Sequence, residues 1–227
     1  MASSSILPST EVETPITSFS IDVLGESLTI HEQPQNVSST GTKVWDTGVA
    51  LSKYFEKNRH KLNLKGKQLI EIGAGCGLTG IVTAILGAHV TITDRVEVLH
   101  LIKKNVDFNL SGRENVGKVQ VKELNWGVTD VKEFKPPFHY VIGSAQSQIF
   151  LDVLYQMESI DPLIQVLASL CDTRTVCLLS LEMRDQQIHD TFFQRVTDHF
   201  VVSTIPRAKQ DPAHTSEFIT IYQLKKK

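Results

Sequence analysis

Gln68-Leu-Ile-Glu-Ile-Gly-Ala-Gly-Cys-Gly-Leu-Thr-Gly80 is the stretch whose reading decides the fold. An apolar run of strand length, Gln68 to Ile72, enters a glycine-rich turn and leaves it as a helix from Gly77 to Leu86. Glycine adopts positive φ at little steric cost and lets a ligand approach the backbone, so Gly73, Gly75 and Gly77 predict a tight turn. The helix start beyond it offers unpaired N–H groups. The next strand, His89-Val-Thr-Ile-Thr-Asp94, ends in a carboxylate suited to the hydroxyls of a ribose. Together these features read as a nucleotide cradle.

Working outward, the periodicity predicts a helix over 96–110, strands over 119–124 and 139–143, a helix from about Tyr155 to Leu170, a strand over 175–181 and a helix over 186–199. That alternation is the pattern of a parallel, doubly wound sheet. Two further β runs, 201–206 and 217–224, are too close in sequence for a crossover helix and are expected to pair antiparallel. The fold class is therefore α/β, a Rossmann-like, mostly parallel sheet with an antiparallel C-terminal hairpin. Before the cradle, 16–23 and 28–33 alternate around Gly25-Glu26 and predict a β-hairpin packed beside the main sheet. A Ser/Thr/Gly loop over 36–42 follows, then Val44-Trp45-Asp46-Thr47-Gly48 and a helix from Val49 to about Lys57. Residues 1–15 are Ser/Thr/Pro-rich and are expected to be a disordered extension of a single domain over 16–227.

Composition narrows the function. The 227 residues are 41% hydrophobic with a formal charge of -2, and the cations are dispersed, so no footprint for a nucleic-acid backbone is present. No apolar run has the length of a membrane span. Cys76, Cys171 and Cys177 lack paired metal-ligand spacing and are expected to be free thiols in a reducing compartment, the cytoplasm or the nucleus. No metal site is expected, and a monomer is. The Lys225-Lys-Lys227 tail reads as a solvated end.

Gly75 to Gly80 also satisfies G-x-G-x-x-G, and Asp94 stands near the spacing of an acid that binds an NAD ribose. The fuller pattern is E-x-G-x-G-x-G, with Glu71 at the strand's end. A carboxylate beside the turn would suit a cofactor bearing an ammonium and a sulfonium and would repel a pyrophosphate, which favours S-adenosylmethionine over a dinucleotide.

The chain resembles the methyltransferase-like family 21 group of protein-lysine methyltransferases, of the seven-β-strand class. The resemblance rests on Val44-Trp45-Asp46, the Glu71 to Gly80 run, Gly87 to Arg95, Lys122-Glu-Leu-Asn-Trp-Gly127 and Glu182-Met-Arg184. It covers nearly all of the chain after the N-terminal extension. It implies S-adenosylmethionine as cofactor and a protein substrate, a chaperone or an AAA-type ATPase. It also implies that Trp45 contacts the methionine end, that Gly73, Ala74, Gly75 and Gly77 line the cofactor with Ser144, that Asp94 holds the ribose, and that Trp126 flanks the adenine. By position alone Trp45 reads as a core anchor, and Trp126 could be core or surface.

Family members place a small residue and then an acid-x-x-Tyr motif after the Gly that ends the fourth strand of the sheet. A carboxylate there can attract and orient a lysine ammonium, and aromatic walls can hold its stem. Here Ser144-Ala-Gln-Ser-Gln-Ile-Phe-Leu151 stands between Gly143 and Asp152-Val-Leu-Tyr155. Either the chain carries an insertion whose polar start is a loop, with Asp152 and Tyr155 as the displaced catalytic pair, or Ala145 occupies the acid's position and the site is broken. The insertion reading is favoured because the apolar helix after Asp152 keeps the family's downstream pattern. Asp152 could also serve as a helix N-cap. Glu182 resembles the family's substrate-side acid, against the alternative of a surface ion pair. Three functions are carried forward: a protein-lysine N-methyltransferase, a cofactor-binding but catalytically impaired interaction protein, and an NAD-dependent oxidoreductase.

Overall fold

The computed structural model describes residues 16–33, 40–145, 160–182 and 186–227. The extension over 1–15 lies outside them, as do Asp152 and Tyr155. Strands β1 (Thr17–Val23) and β2 (Glu26–Glu32) form the expected hairpin. Leu24 and Gly25 both take positive φ at its tip, the two-residue geometry that matches the twist of the flanking strands. The main sheet holds β3 (Gln68–Ile72), β4 (His89–Asp94), β5 (Val119–Glu123), β6 (Tyr140–Ala145), β7 (Val176–Glu182), β8 (Phe200–Thr204) and β9 (Ile219–Lys226) in the order β5-β4-β3-β6-β7-β9-β8. The first five pair in parallel and the last two antiparallel, as the sequence predicts. The final strand inserts between β7 and β8, so the C-terminal hairpin closes the sheet with its later strand inward.

Helices α1 (Asp46–Lys57), α3 (Leu78–Ile85) and α4 (Val96–Leu110) cover one face, with the short α2 (Arg59–Leu62) following α1. α5 (Ile160–Leu170) and α6 (Gln186–Val196) cover the other. The strands bury both faces, and their alternation divides the core. Leu69, Val90, Ile92, Tyr140, Ile142 and Leu178 pack under α1, α3 and α4. Ile70, Ile72, Val141, Cys177, Leu179 and Leu181 pack under α5 and α6. Successive strands are laid down outward from β3 through β4 to β5 on one side and from β6 to β7 on the other, which puts the topological switch point, where open α/β sheets bind ligands, between the ends of the parallel neighbours β3 and β6.

Four sequence expectations change. α1 begins at Asp46 rather than Val49, because the Trp45 carbonyl already accepts the Gly48 and Val49 N–H groups. The N-terminal hairpin is a separate two-stranded sheet, and it packs on α4 rather than beside the main sheet. Ser144 and Ala145, expected as the start of a loop, continue β6 and pair with Ser180 and Leu181 of β7. In the lysine tail Lys225 and Lys227 are exposed as expected, but β9 runs through Lys226, whose ammonium donates to the Ala168 and Cys171 carbonyls at 2.6 and 3.0 Å. Those carbonyls are among the unpaired acceptors at the C-terminal end of α5, where a cation also suits the helix dipole. Lys226→Met should therefore lower stability by about 1 kcal/mol, with Lys225→Met near neutral, as read from urea unfolding midpoints.

Candidate functional site

The turn after β3 is built from within. Gly73, Gly75 and Gly77 have φ of 62, 57 and 82, so side chains at these positions would be strained. Gly77 N–H donates to the Ala74 carbonyl, Ala74 N–H to Thr93 in β4, and Gly75 N–H to Asp94 Oδ2 at 2.8 Å. The Arg95 N–H donates to the other Asp94 oxygen at 2.7 Å. Asp94 thus has both oxygens anchored to backbone while remaining partly accessible, with lone pairs left for a ligand's hydroxyls. Burial raises its carboxyl above the usual aspartate range, and the two N–H donors oppose that shift.

Glu71 lies under the turn and not in its mouth, which corrects its assignment as a group facing the cofactor. It is 1% exposed and turns toward α3, where its Oε2 accepts the Gly80 N–H at 2.8 Å. Gly77, at the helix start, has no side chain to cap α3, and Glu71 supplies the missing acceptor from the neighbouring strand. The packing is close enough that a Cβ on Gly80 would fall 2.6 Å from Glu71 Oε2. Burial pushes the Glu71 carboxyl up to about 8, with the Gly80 and Thr79 hydrogen bonds opposing the shift. At neutral pH the group is mostly protonated, so it does not supply the charge that would repel a pyrophosphate.

The other sequence-predicted residues converge on the same end of the sheet. The Trp126 ring crosses Gly73, whose Cβ, if present, would sit 3.5 Å from Trp126 Cζ2. Gly127, with φ 81, backs onto Pro162 of α5 and holds that tryptophan at the sheet's edge. Trp45 stands half-buried at the start of α1, with the Lys43 ammonium over its ring. Ser144 lies on the α1 face of β6, its Oγ 3.4 Å from where a Cβ on Gly48 would be. Glu182 shares that face by alternation with Leu178, whereas Ala145 packs against the opposite core. Asp94, Ser144 and Glu182, with Gly73 just past the end of β3, therefore mark four adjacent strands, a row spanning roughly 14 Å at the usual interstrand spacing. Such a row accommodates a nucleoside at one end and an amino-acid arm leading to a reacting group at the other.

Sequence reading missed several residues of this site. The Thr79 hydroxyl lies 3.4 Å from the Gly48 carbonyl and 3.3 Å from Ser52 Oγ, tying α3 to the start of α1. Gly41 presses its carbonyl on the turn, 3.0 Å from where a Cβ on Gly75 would be. Asn105 donates to the Cys76 carbonyl at 3.0 Å. A usable signal existed for Asn105 alone, a polar residue on the stripe formed by Val98, Leu101 and Ile102. Among the described residues no group of three His, Cys, Asp or Glu could hold a metal ion, and no helix is long and apolar enough to cross a membrane.

A mainly parallel seven-stranded sheet with its last strands antiparallel, and with this row along its edge, defines a methyltransferase-type α/β protein. Solved structures agree on the fold. The T. thermophilus 16S rRNA N2 G1207 methyltransferase, determined with AdoMet and guanosine, superposes with a TM-score of 0.62 at 16% identity over 93% of this chain and 51% of that one. The present chain thus spans about half of that enzyme. A TehB-like SAM-dependent methyltransferase from Corynebacterium glutamicum gives a TM-score of 0.55 at 12% identity over 85% of this chain and 94% of that one.

The particular family follows from sequence. Residues 24–199 match the lysine methyltransferase family model, and the chain belongs to that family. It is 36% identical to EEF1A lysine methyltransferase 3 of Xenopus tropicalis over 79% of this chain and 75% of the relative. It is 37% identical to protein N-lysine methyltransferase METTL21A of Mus musculus over 75% of this chain and 73% of the relative. The resemblance read from the motifs is thereby confirmed at family level, and neither the oxidoreductase nor the interaction-protein reading gains support.

Burial of Glu71 has a measurable consequence. A carboxyl whose folded pKa is raised favours folding when protonated, so its contribution is fully present below about pH 4.5 and is lost as pH rises through about 8. Glu71→Gln removes that titration. Urea unfolding of both proteins between pH 4.5 and 8.5 should show the wild type losing stability relative to the variant as pH increases.

Proposed function

We propose that this chain transfers the methyl group of S-adenosylmethionine to a lysine side chain of a protein substrate. The observation that carries the reading is the row Asp94, Gly73, Ser144 and Glu182 along the C-terminal edge of the sheet, with the Trp126 ring across Gly73 and Trp45 at the start of α1. The residues fit the cofactor: a half-open carboxylate for the ribose, a glycine turn without side chains, and an aromatic ring across Gly73 for the base. When bound, the cofactor supplies an electrophilic methyl on a sulfonium. The protein's part is to hold the lysine in line with that methyl and to accept or release its proton, for which positioning counts most. Glu182 is an acid on the α1 face of β7, two residues beyond the Ser180 that pairs with Ser144, and is suited to attract a lysine ammonium. Asp152 and Tyr155 remain the catalytic pair of the sequence reading and lie outside the described residues.

For the substrate, the family resemblance favours a chaperone or an AAA-type ATPase, and the relative named for EEF1A adds a translation factor to the candidates. Labelled methyl donor incubated with the purified chain and a cell lysate should mark one or a few proteins on lysine. Three free, buried cysteines are in keeping with a cytoplasmic site of action.

Asp94→Ala should weaken binding of the methyl donor and its demethylated product by about 2 kcal/mol, the scale of a hydrogen bond to a charged group. Because Asp94 also anchors Gly75 and Arg95, some stability goes with it. Calorimetry set beside thermal unfolding separates the two. Trp126→Ala should likewise lose affinity more than stability.

The stretch from Ser144 to Leu151 is tested by three proteins: the chain as it stands, a chain in which one small residue joins Gly143 to Asp152, and that shortened chain carrying Asp152→Ala. If the stretch displaces Asp152, shortening raises methyl transfer and Asp152→Ala then abolishes it, with smaller changes in cofactor affinity. Equal activity in all three would leave Asp152 as a helix cap and move the catalytic acid to Glu182.

A further inference from the structure

The N-terminal hairpin presents β2 as an edge strand, with backbone groups that β1 cannot satisfy. Two buried asparagines on α4 take them up. Asn105 is 0% exposed; its Oδ1 accepts the His31 N–H at 2.8 Å and its Nδ2 donates to the His31 carbonyl at 3.0 Å. Asn109 treats Thr29 in the same way, at 3.2 and 2.9 Å. The match is geometric: four helical residues advance about 6.0 Å and two strand residues about 6.8 Å, so side chains at i and i+4 of a helix can serve alternate residues of a strand. The helix face thereby stands in for a third strand.

The two asparagines differ in one respect. The Asn105 amide also donates to the Cys76 carbonyl, between Gly75 and Gly77 of the cofactor turn, at 3.0 Å. Asn109 spends its second donor on the Asn105 carbonyl within α4. Beyond His31, β2 continues to Glu32, whose Oε1 accepts the Val44 N–H at 2.7 Å, next to Trp45. Gln33 N–H bonds the Thr42 carbonyl at 2.8 Å, and Gly41 lies on Gly75. A chain of direct bonds therefore runs from the glycine turn through Asn105 and β2 to the segment carrying Trp45.

We propose that the hairpin is a wall of the cofactor site, and that Asn105 is the positioning residue that sets the glycine turn and the Trp45 segment relative to one another. The inference rests on the reading that this turn holds S-adenosylmethionine. Asn105 acts through Cys76 and β2 and has no part in the chemistry itself. A role confined to docking the hairpin would be shared with Asn109, which supplies the internal control.

The experiment compares Asn105→Asp with Asn109→Asp, each of which replaces the donating NH2 by an oxygen facing carbonyls. Both should lower the unfolding midpoint. In calorimetry Asn105→Asp should bind S-adenosylhomocysteine about tenfold more weakly, the scale of one lost hydrogen bond, while Asn109→Asp stays within about twofold of the wild type. Amide hydrogen exchange without ligand provides a second readout. Asn105→Asp should speed exchange over 75–81 and 42–45 as well as in β2, whereas Asn109→Asp should speed it only in the hairpin and α4. Unchanged affinity in Asn105→Asp, equal weakening in both variants, or identical exchange patterns would each overturn the inference. If Asn105→Asp does not fold, Glu32→Ala carries the test from the accessible side of the same chain of bonds: faster exchange over 42–45 with weaker binding supports the proposal, and unchanged values refute it. Failure of the wild type to bind S-adenosylhomocysteine would strike the cofactor reading, while the exchange pattern would still decide the role of Asn105.

Discussion

The close approach of α3 to β3, filled by one buried carboxyl, is the constraint on which the rest of the site depends. Glu71 leaves the strand, reaches the Gly80 N–H in the first turn of the helix, and touches the Thr79 hydroxyl beside it. A residue larger than glycine at position 80 would meet Glu71 and Ile92 at 2.6 Å, so helix and sheet are pinned at a separation that only this pair allows. The turn between them then has no slack. Its three glycines with positive φ, the Ala74 bond to Thr93 and the Gly75 bond to Asp94 follow from having to close that short gap.

From that fixed turn, polar contacts spread to each neighbouring element. Thr79 carries the contact to α1 through the Gly48 carbonyl. Asn105 carries it to the hairpin. These contacts are short side chains bonded to backbone, and buried polar groups of this kind are costly when left unpaired, so each has few alternatives to its observed partner. A site assembled this way keeps its geometry in a single α/β layer.

Much of this was legible in the sequence, and the boundary is physical. Alternation of strands and helices gave the layer architecture, because periodicity reports which face of an element is buried. The short spacing between the last two β runs gave their antiparallel pairing. The insertion of β9 between β7 and β8 was not legible, since periodicity carries no information about which neighbour a strand selects. Nor was the direction of Glu71: an acid before a glycine turn looks the same in one dimension whether it faces the cleft or the helix packed behind it. Asn105 and Asn109 pair with residues more than seventy positions earlier; the apolar stripe of α4 can flag Asn105 as a buried polar residue, but nothing local identifies the distant backbone that it bonds. Lys226 was misread for the same reason, its partners lying in the loop and helix that precede β7.

The inward direction of Glu71 changes the account of cofactor choice. A negative charge beside the turn would repel a pyrophosphate, but a carboxyl raised to about 8 and bonded to Gly80 carries little charge at neutral pH. The discrimination has to come from the donors. Dinucleotide-binding turns hold phosphate with the free N–H groups of the turn and of the helix start. Here Gly75 N–H is taken by Asp94, Gly77 N–H by Ala74 and Gly80 N–H by Glu71, while the Gly41 carbonyl, an acceptor, presses on the turn from above. A phosphate arriving there would meet the Gly41 carbonyl oxygen and find three of the N–H groups already bonded, whereas a ligand bearing hydroxyls would find the acceptor oxygens of Asp94. The same glycine pattern thus presents fewer donors to a ligand, because Asp94, Ala74 and Glu71 hold three of its N–H groups.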